Sequence, residues 1–297
     1  MTAQLDEETP VVSVVIPTNN RKDWVTEALE SVFNQSYTNF EVIVVDDGSE
    51  DGTSEYLRER FGDRIRLFRT EGTNCPTAKN HGASHARGKY LAFLDDDDRW
   101  YPEKLAKQVA FMEAASADVA MVGSACDHMD KDGNPYWEPS YPEEELTYES
   151  ACVKPKLPGA SSGCLIRTAV FKELGGFDVE LTRNQDRELW IRLTRKYRVP
   201  MLQEVLSTVR IHGTQRRGVN TDTIQRCRLE INRRIPERAI RRKADGWTYF
   251  HLFNLNWKQK KLKAFGFLVR SFMAWPGPLP VRENRVKMAL RRILGRG

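Results

Sequence analysis

Cysteine is scarce in this chain, which has five among its 297 residues and no Cys-x-x-Cys pair. An odd number of scattered cysteines argues against a disulfide framework, and the missing pair argues against a zinc knuckle. We therefore expect reduced, mostly buried thiols, as in a cytosolic protein.

Long apolar runs are also missing. No apolar stretch approaches the roughly 20 residues that a membrane-spanning helix needs. Residues 1–10 are polar and acidic, unlike a secretory signal peptide. No Gly-x-Gly-x-x-Gly follows the first apolar run, so the dinucleotide-binding fingerprint is absent. From these absences we expect a cytoplasmic protein that does not use NAD.

Charge is divided unevenly along the chain. The net charge is +5, from 46 Lys and Arg against 41 Asp and Glu. Residues 222–297 carry 19 positive and 5 negative side chains, a net charge of +14, which leaves residues 1–221 at −9. This split predicts an acidic body at residues 1–221 and a basic extension at residues 222–297, with different partners.

Apolar runs and helical patterns alternate in the first 115 residues, which is typical of an α/β fold with a mostly parallel sheet flanked by helices. In such sheets ligands bind beyond the carboxyl ends of the strands. The predicted strands are residues 11–16, 41–45, 65–68 and 90–94, and the predicted helices are residues 23–34, 53–60, 77–87 and 102–115.

The rest of the chain is less regular. A loop is predicted at residues 130–145, and from residue 223 onward the pattern is helical and basic. The other predictions are strands at residues 119–126, 163–167 and 205–211, and helices at residues 168–174, 185–197, 257–275 and 283–294.

Four consecutive aspartates at residues 95–98 follow a predicted buried strand. Four adjacent like charges repel one another, so something must hold them there. Hard divalent cations take carboxylate oxygens and bridge them to phosphates, which favours a metal with a phosphorylated ligand. An acidic solvated turn is the alternative. Asn19 and Asp46 also lie just past predicted strands, so three polar clusters converge on one edge of the sheet.

Six short motifs lie between residues 14 and 190. They are Val-Val-Ile-Pro-Thr-Asn-Asn-Arg at 14–21, Val-Val-Asp-Asp-Gly-Ser at 44–49, Ala-Lys-Asn at 78–80, Phe-Leu-Asp-Asp-Asp-Asp at 93–98, Gly-Gly-Phe-Asp at 175–178 and Gln-Asp-Arg-Glu-Leu-Trp at 185–190. In this order and spacing the chain resembles family 2 glycosyltransferases, which have the GT-A fold. The resemblance covers about residues 11–212 and implies a GT-A catalytic domain at residues 1–221, followed by the basic helical extension at residues 222–297. It implies an inverting, metal-dependent enzyme that moves a sugar from a nucleotide-sugar, expected to be a UDP-sugar, to a glycan, polysaccharide or lipid-linked acceptor.

The resemblance also implies which residues bind the donor's base. Asp46 falls where the family uses an aspartate to accept from an N–H of the base, although its motif also fits a plain tight turn. Pro17, Thr18 and Asn19 would border the base. Lys79 stands where arginine is more usual; it would approach the base or phosphates, or be a solvated helix lysine.

The acidic run resembles the family's Asp-x-Asp motif. The resemblance implies that Asp95 and Asp96 lie near the ribose and that Asp97 binds Mg²⁺ or Mn²⁺, with Asp98 in support. A bound metal would neutralise the departing diphosphate. His212 follows the predicted strand at residues 205–211, where a family histidine often lies near the metal; a structural histidine is the alternative.

Asp186 falls at the position of the family's catalytic base, which deprotonates the acceptor hydroxyl as that oxygen attacks the anomeric carbon. Relatives have glutamate before this aspartate, whereas this chain has Gln185. The alternative is an aspartate that only favours the helix dipole from near the helix start.

Alternatives stay open for the role of the basic extension and for the function of the protein. The basic extension would pack on the catalytic domain or lie on anionic lipid at the inner face of the membrane; nucleic-acid binding is not expected, because no reader motif is present. A sugar-phosphate nucleotidyltransferase and a non-catalytic sugar-nucleotide-binding or scaffold protein are the alternative functions. The first lacks its glycine-rich triphosphate loop here, and the intact aspartates argue against the second.

Overall fold

The computed structural model describes residues 9–154, 157–211, 221–257, 260–279 and 285–294. The chain divides into two compact units, Met1–Leu146 with Leu157–Gly213, and Thr147–Lys156 with Thr214–Gly297. The boundary predicted between residues 221 and 222 stays a prediction. Within the described residues, no helix combines the length and the apolar character needed to span a membrane.

The first half of unit 1 alternates strands and helices, as the sequence predicts. In chain order the elements are β1 (Val12–Thr18), α1 (Lys22–Phe33), β2 (Phe40–Asp47), α2 (Thr53–Phe61), β3 (Arg66–Thr70), α3 (Cys75–Ser84) and β4 (Tyr90–Phe93). β1 pairs in parallel with both β2 and β4, and β2 pairs in parallel with β3. Every residue of β1 and β4 is buried, which explains their nearly continuous apolar sequences.

The sheet continues through shorter and mixed strands. The next elements are β5 (Arg99–Trp100), α4 (Lys104–Ala114), β6 (Met121–Met129), β7 (Pro135–Ser140), α5 (Tyr148–Val153), β8 (Leu165–Arg167), α6 (Thr168–Glu173), α7 (Gln185–Thr194) and β9 (Met201–Arg210). The strand order is β3-β2-β1-β4-β8-β6-β9-β5, with β7 on β6. β8 is antiparallel to both neighbours, while β6 and β9 are parallel. The predicted α/β sheet flanked by helices is confirmed.

Strand β7 lies inside residues 130–145, which were predicted to form a loop, so that part of the prediction is wrong. It pairs with β6 through Cys126↔Ser140 and Met129↔Pro135. The turn between the strands is closed by the Asp130 carboxylate, which accepts from the main-chain N–H groups of residues 132 and 134 at 2.9 Å each. Proline and acidic residues hide a strand that lies at the edge of a sheet.

The core of unit 1 lies between the sheet and its helices. α1 illustrates how the sequence builds it: Val25, Ala28, Leu29 and Val32 recur at helical spacing and are all buried. They pack with apolar side chains of β1, β2 and β4 in one cluster. Burying each Val or Leu side chain contributes about 1.5–3 kcal/mol.

Unit 2 is helical, as predicted for the basic extension. Besides α5 it contains α8 (Thr221–Arg233), α9 (Arg238–Asn256), α10 (Lys261–Ala274) and α11 (Arg285–Ile293). α9 and α10 share an apolar core that includes Phe250, Phe253 and Phe267. Gly246 allows the two helices to approach closely, because a Cβ there would lie 2.8 Å from the Cβ of Trp275.

Candidate active site

A cleft of about 290 Å³ opens at the carboxyl ends of β1, β2 and β4. This is the edge of the sheet at which the sequence places its polar clusters. The cleft is lined by Pro17, Thr18, Asn19, Arg21, Asp47, Cys75, Ala78, Asp95, Asp96 and Asp97. Six of the predicted site residues are therefore brought together in one place.

Asp46 lies beneath the cleft rather than on its surface. Its side chain is fully buried, and Oδ1 accepts from the Ser49 N–H at 2.8 Å. Oδ2 accepts from Arg69 Nη1 at 2.9 Å and from the Ser54 hydroxyl. Protein donors thus reach both oxygens, which ties together the turn after β2, the start of α2 and the strand β3.

Asp47, the next residue, lines the cleft. Its Oδ1 accepts from Thr70 Oγ1 at 2.6 Å and from Thr73 N at 2.8 Å. Asn19 adds a contact at the same point, because its side-chain amide donates to the Asp47 carbonyl at 2.6 Å. The loops after β1, β2 and β3 are therefore fastened together around the Asp47 side chain.

Asp96 and Asp97 share one cation, the guanidinium of Arg21. Its Nη1 lies 2.8 Å from Asp96 Oδ1 and 3.0 Å from Asp97 Oδ2. Thr18 also donates to Asp96 Oδ2 at 2.9 Å. Burial raises the pKa of Asp96 to about 6; the Arg21 charge opposes the rise, and the Asp97 charge adds to it. The repulsion expected within the acidic run is thus relieved partly by Arg21, which lies between β1 and α1.

Asp98 is buried and has a structural position. Its Oδ2 accepts from Ser162 Oγ at 2.6 Å and its Oδ1 from the main-chain N–H of Arg210 at 3.0 Å. Burial raises the pKa of Asp98 well above its usual range, and the charges of Asp97 and Asp95 raise it further. These contacts anchor the end of the acidic run to the turn before β8 and to the end of β9.

Lys79 is fully buried, so the solvated-lysine interpretation is wrong. Its Nζ lies 2.7 Å from Asp95 Oδ1 and donates to Ser161 Oγ at 2.7 Å. Burial alone lowers the pKa of Lys79, but the charges of Asp95, Cys75 and Asp186 outweigh that effect and raise it. A permanent positive charge therefore lies behind the Asp95 carboxylate.

Asp186 begins the first turn of α7, after a residue in the left-handed conformation, Asn184 (φ 60°). Its Oδ1 is buried and has no hydrogen-bond partner among the described residues. Burial raises the pKa of Asp186; the Lys79 charge opposes this, and the Asp95 charge adds to it. An unsatisfied buried carboxylate oxygen is costly, so it marks a place where a ligand's donor is expected.

The turn at residues 160–163 is fixed from behind by buried side chains. Trp100 Nε1 donates to the Ser162 carbonyl at 2.7 Å, and Gln108 Nε2 donates to the Gly163 carbonyl at 2.9 Å. Lys104, also fully buried, donates to Gln108 Oε1 at 2.7 Å and lies 4.1 Å from the Trp100 ring centre. Burial lowers the pKa of Lys104 to about 7.

The acidic run offers oxygen ligands that suit Mg²⁺ or Mn²⁺. The described residues contain no group of three His, Cys, Asp or Glu side chains arranged around a metal position, and His212 lies outside them. Magnesium, however, often takes one or two protein carboxylates and completes its shell with water and substrate phosphates. The Arg21 guanidinium between Asp96 and Asp97 shows that this pair attracts a cation, so the residues fit the metal.

Arg21, Asp47 and the serine pair Ser161 and Ser162 were not singled out as donor-side residues from the sequence. Arg21 and Asp47 both stand inside quoted motifs, so their residue types were visible. Their contacts depend on which way each side chain points, and adjacent strand residues point to opposite faces.

Comparisons with known sequences identify the family of this chain. Residues 13–175, more than half of the chain, match the family described as glycosyl transferase family 2. A Rickettsia bellii protein named an uncharacterized glycosyltransferase is 33% identical over 211 residues, 69% of this chain and 30% of its own length. TuaG of Bacillus subtilis, named for teichuronic acid biosynthesis, is 34% identical over 63% of this chain and 73% of its own length. The chain spans about a third of the first two Rickettsia relatives, 30% and 35%.

Solved structures support the fold. Residues 1–349 of S. aureus TarS, in complex with UDP-GlcNAc, superpose with a TM-score of 0.67 at 19% identity, covering 88% of this chain and 79% of that fragment. The mannosyltransferase PcManGT of Pyrobaculum calidifontis, in complex with GDP-Man and Mn²⁺, gives a TM-score of 0.60 at 18% identity, covering 97% of this chain and 81% of PcManGT in that structure. The predicted GT-A fold is thus confirmed. With the family match over residues 13–175, the chain belongs to glycosyl transferase family 2.

Proposed function

We propose that this protein is an inverting, metal-dependent glycosyltransferase that uses a nucleotide-sugar, expected to be a UDP-sugar. The acceptor would be a hydroxyl of a glycan, polysaccharide or lipid-linked glycan. The observation that carries the proposal is the cleft at the carboxyl ends of β1, β2 and β4, where residues 17–19 and the acidic residues 95–97 come together.

The donor's base is proposed to lie against Pro17, Thr18 and Asn19, which line the cleft. Asp46 was predicted to accept from the base, but its two oxygens already accept from protein donors. Asp47 lines the cleft and is the alternative acceptor through its Oδ2, because its Oδ1 already accepts from Thr70 and Thr73. Separate Asp46→Asn and Asp47→Asn variants distinguish the two, because only the true acceptor should alter discrimination between nucleotides as well as stability.

Asp97 is proposed to hold Mg²⁺ or Mn²⁺, with Asp95 and Asp96 beside the donor's ribose. When bound, the metal would neutralise charge on the departing diphosphate. Arg21 lies between Asp96 and Asp97 and would have to give up at least the Asp97 contact to make room. His212 stays a predicted, additional ligand.

Asp186 is proposed to act as the general base. Its unsatisfied Oδ1 would accept the proton of the acceptor hydroxyl while that oxygen bonds to the anomeric carbon and the bond to the diphosphate breaks. A single displacement inverts the anomeric configuration and needs no enzyme nucleophile. The raised pKa of Asp186 makes its carboxylate a stronger base than a solvated aspartate.

A cytoplasmic location, with peripheral contact of residues 222–297 at the inner face of the cell membrane, completes the proposal. TuaG is named for teichuronic acid biosynthesis, which supports a cell-envelope polysaccharide as the product class. Lipid-linked intermediates of such polymers would be accessible from that surface.

A panel of nucleotide sugars with Mn²⁺ tests the proposal. The donor should raise the melting temperature, because a ligand that binds only the folded state stabilises it. The same donor should release nucleoside diphosphate, and Asp97→Ala should abolish that release. Stabilisation without release in the presence of varied acceptors would favour the non-catalytic binding protein. Pyrophosphate formation from a sugar phosphate and a nucleoside triphosphate would favour the nucleotidyltransferase.

A further inference from the structure

Helix α10 is apolar on two opposite faces. One face is buried in unit 2 and includes Ala264, Phe267 and Leu268. The opposite face is exposed to solvent and carries a stripe of four large apolar side chains. These are Leu262, Phe265, Val269 and Met273, which are 93%, 53%, 44% and 74% exposed. A surface helix of a globular protein normally presents polar residues to water, so we expect this face to contact a partner.

The four residues form one continuous line along the helix. Their spacings of three, four and four residues keep them on the same side, and they extend over about 16 Å at 1.5 Å per residue. The helix therefore presents a narrow apolar ridge, suited to lying in a plane.

The charges around this ridge are mostly positive, with the acidic Asp222 paired to Lys263. α10 contains Lys261, Lys263 and Arg270 and no acidic residue. Nearby in the same unit, α11 adds exposed Val286 and Leu290 and the basic residues of its sequence, again without an acidic side chain. Lys263 contacts Asp222 at 2.7 Å on the surface. Residues 222–297 carry a net charge of +14.

We propose that the exposed face of α10, defined by Leu262, Phe265, Val269 and Met273, inserts into the headgroup region of an anionic lipid bilayer. An amphipathic helix binds such a surface by burying apolar side chains while its Lys and Arg residues contact the acidic headgroups. This deepens the membrane contact proposed above and does not depend on which sugar the enzyme transfers.

Charge decides between a bilayer and a second copy of this chain. Two copies joined through this face would bring two strongly basic extensions together, and like charges oppose that association. An anionic bilayer supplies the opposite charge along with an apolar layer. Phosphatidylglycerol in a phosphatidylcholine bilayer reproduces both features.

Vesicle sedimentation of the full chain tests the proposal. The protein should bind vesicles of 30% phosphatidylglycerol, weakly bind pure phosphatidylcholine, and release as salt is raised. Leu262→Ser with Met273→Ser replaces the two most exposed apolar side chains and should lower the partition coefficient at least tenfold. Lys261→Gln with Arg270→Gln should lower it about 25-fold, from roughly 1 kcal/mol for each charge near the surface.

Matched variants in unit 1 provide the controls. Val179→Ser removes another exposed apolar side chain, and Arg58→Gln with Lys172→Gln removes two exposed positive charges. Neither should change binding by more than about twofold. Circular dichroism of every variant checks that helicity is retained.

Three results would overturn the proposal. They are undiminished binding by both α10 variants, equal binding to neutral and anionic vesicles, and a wild-type dimer that the Leu262→Ser, Met273→Ser variant dissociates in light scattering. Binding is measured without donor or acceptor, so its failure is distinct from a failure of glycosyl transfer, which the diphosphate-release assay detects.

Discussion

The ammonium group of Lys79 lies 2.7 Å from Asp95 and is itself fully buried behind the donor cleft. Its charge also lowers the pKa of Asp186 against the effect of burial. One lysine therefore acts on a donor-side carboxylate and on the proposed base. The separation of donor binding from proton transfer is less complete in this site than the distance between the two motifs along the sequence indicates.

Lys79→Met should lower stability and shift the pH dependence of transfer. The Asp95 side chain is 35% exposed and would gain water, so we expect a loss of about 1–3 kcal/mol. Removal of the positive charge should raise the pKa of Asp186, so activity should begin to fall at a higher pH as the solution is acidified. Thermal unfolding and a kcat-versus-pH profile measure both effects.

Lys89→Met is the matched control, because Lys89 makes an exposed ion pair with Glu113. Its loss should cost at most about 1 kcal/mol and leave the profile in place. An unshifted acidic limb in Lys79→Met would show that Lys79 does not act on the base.

Asp186→Asn should separate binding from chemistry. Asparagine retains the shape but cannot take a proton, so kcat should fall about 10²- to 10⁴-fold while donor affinity stays within a few-fold. Isothermal titration with the donor and a turnover assay give the two numbers. Asp63→Asn, at an exposed position, serves as the control. A variant that keeps wild-type turnover would exclude Asp186 as the base.

Arg21→Gln should strengthen metal binding in the absence of donor. The guanidinium competes for the carboxylates of Asp96 and Asp97, and its removal should increase Mn²⁺ affinity about fivefold, given about 1 kcal/mol for a half-exposed ion pair. Electron paramagnetic resonance counts free Mn²⁺ directly. Arg58→Gln, on the surface of α2, should change nothing. Weaker Mn²⁺ binding by Arg21→Gln would mean that the arginine organises the carboxylates instead of competing for them.

Lys104→Met should reduce the rise in folding stability that the wild type shows between about pH 7 and pH 10. The pKa of Lys104 is about 7 in the folded protein, below the roughly 10.4 of an unfolded lysine. The unfolded state therefore binds more protons between those values, and wild-type stability should rise with pH from about 7 to 10 and level off below 7. Lys107→Met is the control, because Lys107 is a partly exposed lysine of the same helix and its loss should leave the rise of stability with pH unchanged. Thermal melts over this range compare the two variants. The idea fails if Lys104→Met and wild type show equal slopes.

The parallel half of the sheet could be predicted because its strands are buried on both faces. Residues of β1 and β2 are then apolar almost without interruption, and a polar cluster follows each strand end. Strand β7 was not predicted, because it pairs with β6 at the edge of the sheet and burial does not impose an apolar pattern on its sequence. β8 was predicted at residues 163–167 and is found at Leu165–Arg167.

The sequence does not predict which of two adjacent acidic residues lines the cleft. Asp46 and Asp47 belong to one strand, and successive side chains of a strand point to opposite faces, so one must lie beneath the sheet edge when the other lines the cleft. Sequence spacing identifies the pair but not the member. The burial of Lys79 could not be predicted for a related reason, since only the packed structure shows the Asp95 carboxylate that pairs with it.

Two neighbouring serines connect the ends of the acidic run. Ser161 accepts from Lys79, which holds Asp95, while Ser162 donates to Asp98 and accepts from the main-chain N–H of Asp95 at 3.1 Å. A change at the Ser162 hydroxyl would therefore disturb both the first and the last aspartate, and a change at the Ser161 hydroxyl would disturb the first through Lys79. Substitutions in this short turn should alter donor affinity and turnover in concert, so engineering a new acceptor preference is better directed at side chains outside it.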